Sequence, residues 1–103
     1  MTEPSSTLYI DGEWVPSSDG GTRTITCPAD GSTVGLVSEA SDEDTERAIK
    51  VARETFDNGE WANTPAAERG KLVIRVADFI REHKELFAQA ESADTGKRYE
   101  ESL

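Results

Sequence analysis

The sequence predicts an α+β fold in which two short β-hairpins, within residues 6–39, are followed by two to three helices. Three observations lead to this prediction. Before Ser41, short runs of β-branched and aromatic residues alternate with turn residues, as strands of hairpins do. After Ser41, apolar residues recur every three or four positions, which is typical of a helix that buries one face. Capping residues and glycines then mark where the helical segments begin and end.

Each hairpin is predicted from its turn. The dipeptide Asp11-Gly12 favours a two-residue type I′ turn, which requires positive φ at both positions. The sequence Pro28-Ala29-Asp30-Gly31 favours a turn between two runs rich in β-branched residues. The predicted strands are residues 8–10, 13–15, 22–27 and 33–38.

Two helical segments are predicted from their ends. The first covers residues 41–58: Ser41 would cap it, with Asp44 in the capping-box position, and Gly59 would end it in the left-handed conformation. The second covers residues 64–95 with a bend near His83. Thr64 is a favoured capping residue, and Pro65 is favoured at the first helical position that follows, so together they predict where this helix begins.

Composition and charge exclude several function classes. The length of 103 residues fits one small domain, and the 21 acidic residues exceed the 11 basic ones to give a net charge of −10. This charge repels phosphate backbones and anionic lipids, so we expect no nucleic-acid and no membrane partner. The N-terminus lacks the features of a secretory signal, and no apolar run approaches the roughly 20 residues that cross a bilayer, so we expect a cytoplasmic protein.

The sequence is short of core-forming residues. Leu, Ile, Val and Phe together account for 19 of the 103 residues. Fewer than one fifth of these types, combined with a high net charge, is close to the composition of chains that do not fold alone. The hairpin and helix patterns are nevertheless well ordered. We therefore expect the chain to be a part of a larger folded body.

Four segments stand in a fixed order between Leu8 and Ser102. They are LYIDGEWV, CPADGS, SDEDTERAIKVARETFDNGEW and PAAERGKLVIRVADFIREHKELFAQAESADTGKRYEES. As an ordered set they resemble the N-terminal segment of the NAD(P)-dependent aldehyde dehydrogenase superfamily, and within it the betaine- and amino-aldehyde type. The resemblance implies that residues 1–103 are the N-terminal part of the cofactor-binding domain of this α/β fold.

The resemblance also implies what this segment lacks. Members of the superfamily continue for several hundred residues beyond the matching segment, and their dinucleotide site, general-base glutamate and nucleophilic cysteine lie in that later part. We therefore assign no catalytic and no cofactor-binding residue to this chain, and expect it to be inactive alone. The parent enzyme would oxidise an aldehyde to a carboxylic acid with NAD or NADP.

The single cysteine, Cys27, is the obvious candidate for a nucleophile. A catalytic thiolate needs a neighbouring cation, a base or a helix N-terminus. Cys27 instead precedes Pro28, which has no N–H to donate, and lies near the acidic Asp30. It also stands where the superfamily usually has a turn asparagine. We predict a structural role for Cys27, and likewise for His83, the only histidine.

A monovalent cation site is a further implication of the resemblance. Some betaine-aldehyde-type members hold a structural cation with strand carbonyl groups and the aspartate of the Asp-Thr-Gly-Lys motif. In this sequence the corresponding positions are Ile25, Thr26 and Asp94. Oxygen ligands suit a hard cation such as K⁺ or Na⁺. The alternative is that Asp94 only caps the helix end or hydrogen-bonds the strand.

Two functions remain open from the sequence. In the first, the chain is an N-terminal aldehyde dehydrogenase fragment, a scaffold whose partner is the remainder of the enzyme. In the second, it is a stand-alone acidic module whose exposed apolar stripes drive self-association. The aldehyde substrate, the choice between NAD and NADP and the oligomeric state are not determined by these residues.

Overall fold

The computed structural model describes Pro4 and residues 6–103. Four strands precede four helices, and this order confirms the predicted α+β class of two hairpins followed by helices. The strands are β1 (Leu8–Ile10), β2 (Glu13–Val15), β3 (Thr22–Thr26) and β4 (Thr33–Ser38). The helices are α1 (Asp42–Asn58), α2 (Ala66–Glu82), α3 (Lys84–Thr95) and the single turn α4 (Tyr99–Ser102), with a 3₁₀ turn at Trp61–Asn63.

The chain divides into two units. The first contains the described residues up to Thr26 together with Thr33–Gly59, and so holds both strand pairs and α1. The second contains Cys27–Ser32 and Glu60–Leu103, and so holds the remaining helices. Among the described residues, no helix combines the length and the apolar character needed to cross a membrane.

Both strand pairs of the first unit are antiparallel. β1 pairs with β2 through Leu8 opposite Val15 and Ile10 opposite Glu13. Asp11 has φ 54° and Gly12 has φ 78°, which confirms the predicted type I′ turn. β3 pairs with β4 from Thr22 opposite Ser38, and a β-bulge shifts the register between Ile25 and Thr26.

Helix α1 begins as predicted and ends differently. The Ser41 hydroxyl accepts from the Asp44 N–H, and the Asp44 carboxylate accepts from the Ser41 N–H, so the predicted capping box is confirmed. Gly59 ends the helix by donating its N–H to the Thr55 carbonyl at 2.8 Å. Its φ of −78° and ψ of 163° are extended, so the predicted left-handed conformation is wrong. The chain leaves α1 directly in an extended conformation, which does not require positive φ.

Two separate helices occupy the range predicted as one bent helix over residues 64–95. They meet at His83, whose φ of −109° and ψ of 21° interrupt the regular helical backbone. The predicted cap at Thr64 is also wrong, because α2 begins at Ala66 after Pro65. The Thr64 hydroxyl instead donates to the Glu60 carbonyl at 2.9 Å, across the 3₁₀ turn.

Few apolar side chains are buried. Among the described residues, the buried apolar side chains are Ile10 of the first unit and Cys27 and Ala88 of the second. Large apolar side chains on the helices are instead widely exposed, and they are Ile49, Phe56, Leu72, Val73, Ile74, Val76, Phe79, Ile80, Leu86 and Phe87. This agrees with the shortage of core residues in the sequence.

Candidate functional site

Cys27 lies at the first position of the turn Cys27–Ser32. Its N–H donates to the Ser32 carbonyl and its own carbonyl accepts from the Gly31 N–H, both at 2.8 Å. The side chain is buried and not disulfide-bonded. The turn therefore uses both backbone polar groups of Cys27, and burial limits the access of a substrate to its sulfur.

Asp30 organises the same turn. Its carboxylate accepts from the Ser32 hydroxyl at 2.7 Å and from the Ser32 N–H at 2.9 Å. These two bonds, with a smaller contribution from the Cys27 side chain, hold the pKa of Asp30 below its usual value. Asp30 therefore places a carboxylate in the turn that Cys27 begins, whereas a nucleophilic cysteine needs a cation, a base or a helix N-terminus beside it.

His83 lies at the junction of α2 and α3. Its Nδ1 is 2.9 Å from the Phe79 carbonyl oxygen, and its ring stacks on the Phe79 ring at a centroid distance of 4.2 Å. Since a carbonyl oxygen only accepts, Nδ1 carries the proton. The backbone N–H of His83 donates to the same carbonyl at 3.1 Å. These contacts give His83 a role at the helix junction.

Among the described residues of the first unit, Asp44 has the side chain with the most hydrogen bonds. It is 8 % exposed, and its carboxylate accepts from the N–H groups of Ser18 and Ser41, both at 3.0 Å. The single proton of the Ser17 hydroxyl is shared between Asp19 at 2.7 Å and Asp44 at 3.4 Å. The Ser18 and Ser41 hydroxyls also meet at 2.6 Å. We call Asp44 and these three serines the Asp44 network. It joins the loop after β2 to the N-terminus of α1.

The Asp44 network explains the acidity of its carboxyl group. The Ser18 N–H and then the Ser41 N–H stabilise the charged form, and they lower the pKa of Asp44 from 3.8 to about 2. The capping-box pattern in the sequence predicts the hydrogen bond between Asp44 and Ser41. It does not predict the contacts of Asp44 with Ser17 and Ser18. The only available signal was the polar loop after Val15, whose N–H groups need an acceptor.

A first prediction concerns the cap itself. We expect Ser41→Ala to lower the free energy of unfolding by about 1 kcal/mol, because the Asp44 N–H loses its acceptor. Thermal unfolding of a larger folded protein that contains this segment, followed by circular dichroism, measures this loss. Ser38→Ala is the control, since Ser38 lies in β4 and does not contact the cap. Equal midpoints for the two variants would contradict the capping role of Ser41.

The three residues predicted to bind a cation lie in different units. Ile25 and Thr26 flank the β-bulge of β3 in the first unit, and Asp94 lies near the end of α3 in the second. Asp94 is exposed, and its side chain makes no hydrogen bond or ion pair with any residue that the structure describes. The helix end is capped by Gly96, whose N–H donates to the Ser92 carbonyl at 2.9 Å.

Side chains that ligate metals are otherwise dispersed. Within Pro4 and residues 6–103, no group of three or more His, Cys, Asp or Glu side chains is placed to hold a metal ion. Gly20 and Gly21 come just before strand β3 and not before a helix. They therefore lack the strand–loop–helix arrangement that holds the phosphates of a dinucleotide.

The main surface feature of the second unit is apolar. Val76 lies four residues after Leu72 and three and four residues before Phe79 and Ile80, so the four side chains share one side of α2, and we call them the Phe79 face. They are 44 to 54 % exposed. The Phe87 ring of α3 meets the Phe79 ring edge-on at a centroid distance of 6.3 Å. A face of this kind is typical of a helix that packs against another element.

Comparisons with known proteins identify relatives along almost the whole chain. The model of the aldehyde dehydrogenase family matches residues 14–103. The betaine aldehyde dehydrogenase of Bacillus subtilis (strain 168) is 45% identical over 98 residues, which are 95% of this chain and 20% of that protein. The mitochondrial 10-formyltetrahydrofolate dehydrogenase of Mus musculus is 41% identical over 91 residues, 88% of this chain and 10% of that protein.

A solved structure gives the same result. The crystal structure of betaine aldehyde dehydrogenase from Staphylococcus aureus in complex with NAD⁺ matches with a TM-score of 0.90 and 48% sequence identity. The match covers 96% of this chain and 20% of that one. The chain therefore spans about a fifth of the length of the betaine aldehyde dehydrogenases that it matches.

Proposed function

The chain belongs to the aldehyde dehydrogenase family and has the fold of its N-terminal part, and from this we propose that it serves as a scaffold segment of an NAD(P)-dependent aldehyde dehydrogenase. One observation carries the proposal: the likeness extends over 95% of this chain but only 20% of the Bacillus subtilis relative. The whole enzyme would oxidise an aldehyde to a carboxylic acid, with NAD⁺ or NADP⁺ as the hydride acceptor.

The residues of this chain would contribute packing to that enzyme. The exposed apolar side chains of α1, α2 and α3 support this role, because such faces are stable when another element covers them. We assign no catalytic or cofactor-binding role to any residue here, and the assignment of residues 1–103 to the cofactor-binding domain stays a prediction. The cytoplasmic location also stays a prediction, which fractionation of producing cells would test.

A chimeric enzyme tests the proposal. In the chimera, this chain replaces the 98 matching residues of the Bacillus subtilis betaine aldehyde dehydrogenase. We expect the chimera to fold and to oxidise betaine aldehyde with a kcat within roughly tenfold of that of the parent, since the reacting groups are unchanged. A chimera that carries a sequence-scrambled segment of the same length is the control. An insoluble or inactive chimera would contradict the proposal.

A self-associating module is the second candidate function. The exposed apolar side chains favour it, because they are also suited to pairing between copies. Size-exclusion chromatography with light scattering distinguishes the two functions. A cooperatively folding oligomer of fixed size would support the module, whereas aggregation or partial folding of the separate chain supports the scaffold.

Binding of K⁺ or Na⁺ by the carbonyl groups of Ile25 and Thr26 and the carboxylate of Asp94 remains a proposal. It is supported by the exposed, unpaired carboxylate and by the β-bulge beside Ile25, since bulges redirect backbone groups. We expect K⁺ to raise the thermal midpoint of the chimera relative to choline at equal ionic strength, and Asp94→Ala to abolish this difference. Glu91→Ala is the control. An equal thermal midpoint in K⁺ and in choline would refute the proposal.

A further inference from the structure

We propose that the Phe79 face of α2 docks a segment of the remaining aldehyde dehydrogenase chain that presents apolar side chains and a carboxylate opposite Arg69. The inference rests on the proposed function, because it takes the partner to be the rest of such an enzyme. It adds the position of the docking surface on this chain, the chemistry of the segment that covers it and the residue that orients the two.

The Phe79 face is shaped to receive side chains. Leu72, Val76 and Phe79 line a shallow groove of about 260 Å³ together with Arg75. The Phe79 ring is held between two neighbours, since it stacks on His83 and meets Phe87 edge-on. A fixed aromatic ring beside a groove loses little conformational freedom when a partner covers it.

Arg69 gives the Phe79 face a charge. It precedes Leu72 by three residues and Val76 by seven, so its side chain emerges on the same side of α2. It is half-buried, and its Nη1 donates to the Thr64 carbonyl at 3.1 Å. That bond uses one of the five N–H groups of the guanidinium.

No carboxylate neutralises Arg69 within the part of the chain that the structure describes. The carboxylate next to Arg69 in α2, that of Glu68, already pairs with Lys71 at 2.8 Å. If an apolar segment covers the Phe79 face, the charge of Arg69 becomes buried. A buried charge is strongly unfavourable unless it is paired, so the covering segment must supply the carboxylate.

A second copy of this chain is a poorer occupant. A two-fold pairing would place the same face of each copy against the other, so both copies would bring Arg69 to the interface and the face itself, lined by Leu72, Arg75, Val76 and Phe79, would supply no carboxylate. Each copy also carries a net charge of −10, which opposes association. The charges therefore favour a different segment as the partner.

The first experiment measures whether the Phe79 face is covered in the chimera. Val76→Cys and Arg81→Cys are made separately, and alkylation of each new thiol is followed by peptide mass spectrometry. Arg81 is the matched control, because it lies on α2 with its side chain 74% exposed. We expect the cysteine at position 76 to react roughly 100-fold more slowly than that at position 81.

The outcomes separate the inference from the proposed function. An active chimera in which both cysteines react at the same rate leaves the Phe79 face open, which overturns the inference and leaves the scaffold function standing. A chimera that does not fold or turn over contradicts both.

The second experiment tests the carboxylate. Arg69→Gln keeps a donor for the Thr64 carbonyl and removes the charge, whereas Arg69→Lys keeps the charge. We expect Arg69→Gln to lower the thermal midpoint of the chimera by about 5 °C, because it leaves the partner carboxylate unpaired. Arg69→Lys should recover more than half of this loss, and Arg81→Gln is the control. If Arg69→Gln and Arg69→Lys both match the control, the predicted carboxylate does not exist.

Discussion

Replacing Gly96 with alanine is expected to lower the free energy of unfolding by about 3 kcal/mol. Two effects add at this position. Gly96 ends α3 with a φ of 75°, a region that is strained for residues with a Cβ. A Cβ there would also lie 2.9 Å from the Ala29 Cβ and 3.0 Å from the Ala29 nitrogen, which is closer than side chains tolerate.

Gly31→Ala provides the matched control for Gly96→Ala. Gly31 has a similar φ of 73°, but a Cβ there would meet nothing within 4 Å. Its replacement should therefore cost only the backbone strain, about 1 kcal/mol. The thermal midpoints of the two chimeras compare these losses directly. Equal losses would show that the turn Cys27–Ser32 does not lie against Gly96 in the folded protein.

Replacing Asp44 with alanine is expected to cause the largest loss of stability among truncations in the first unit, and a greater loss than Ser41→Ala. The change removes the acceptor of the Ser18 and Ser41 N–H groups and detaches the loop after β2 from α1. Asp42→Ala is the control, because Asp42 shares the first turn of α1 but is exposed. Both variants lose the same favourable interaction with the helix dipole, so the difference between their stabilities measures the hydrogen bonds of Asp44.

The contribution of Asp44 depends on pH in a defined direction. Its pKa is about 2 in the folded chain and 3.8 ordinarily, so folding favours the charged carboxylate. The stabilisation is complete above about pH 4 and is lost as the pH falls towards 2. A titration of the Asp44 carboxyl carbon by nuclear magnetic resonance should show a midpoint near 2. A midpoint near 3.8 would mean that the Asp44 network does not form in solution.

Local sequence signals predicted most of the fold. The Asp11-Gly12 turn and the Ser41–Asp44 capping box were predictable because each depends on residues within four positions of one another. The errors arose where one residue type allows two local structures. Thr64 could cap α2 or bond back to Glu60, and the 3₁₀ turn decided between them. His83 separates two helices, although the apolar spacing continues across it.

The contacts of the candidate site were less predictable, because they join residues far apart in the sequence. The bonds from Ser17 and Ser18 to Asp44 span 27 and 26 residues, and no spacing rule indicates them. The approach of Gly96 to Ala29 is of the same kind. The structural role of Cys27 was predictable from the adjacent Pro28 and the nearby Asp30. The aldehyde dehydrogenase reaction could be inferred only from the resemblance to that family.

We propose that this segment supplies packing and no reacting group to the whole enzyme. The most direct test is to incubate the purified 103-residue chain with NAD⁺ and a panel of aldehydes and to measure NADH formation. We expect no NADH above the blank, with or without Cys27→Ala. NADH formation that Cys27→Ala abolishes would contradict the proposal.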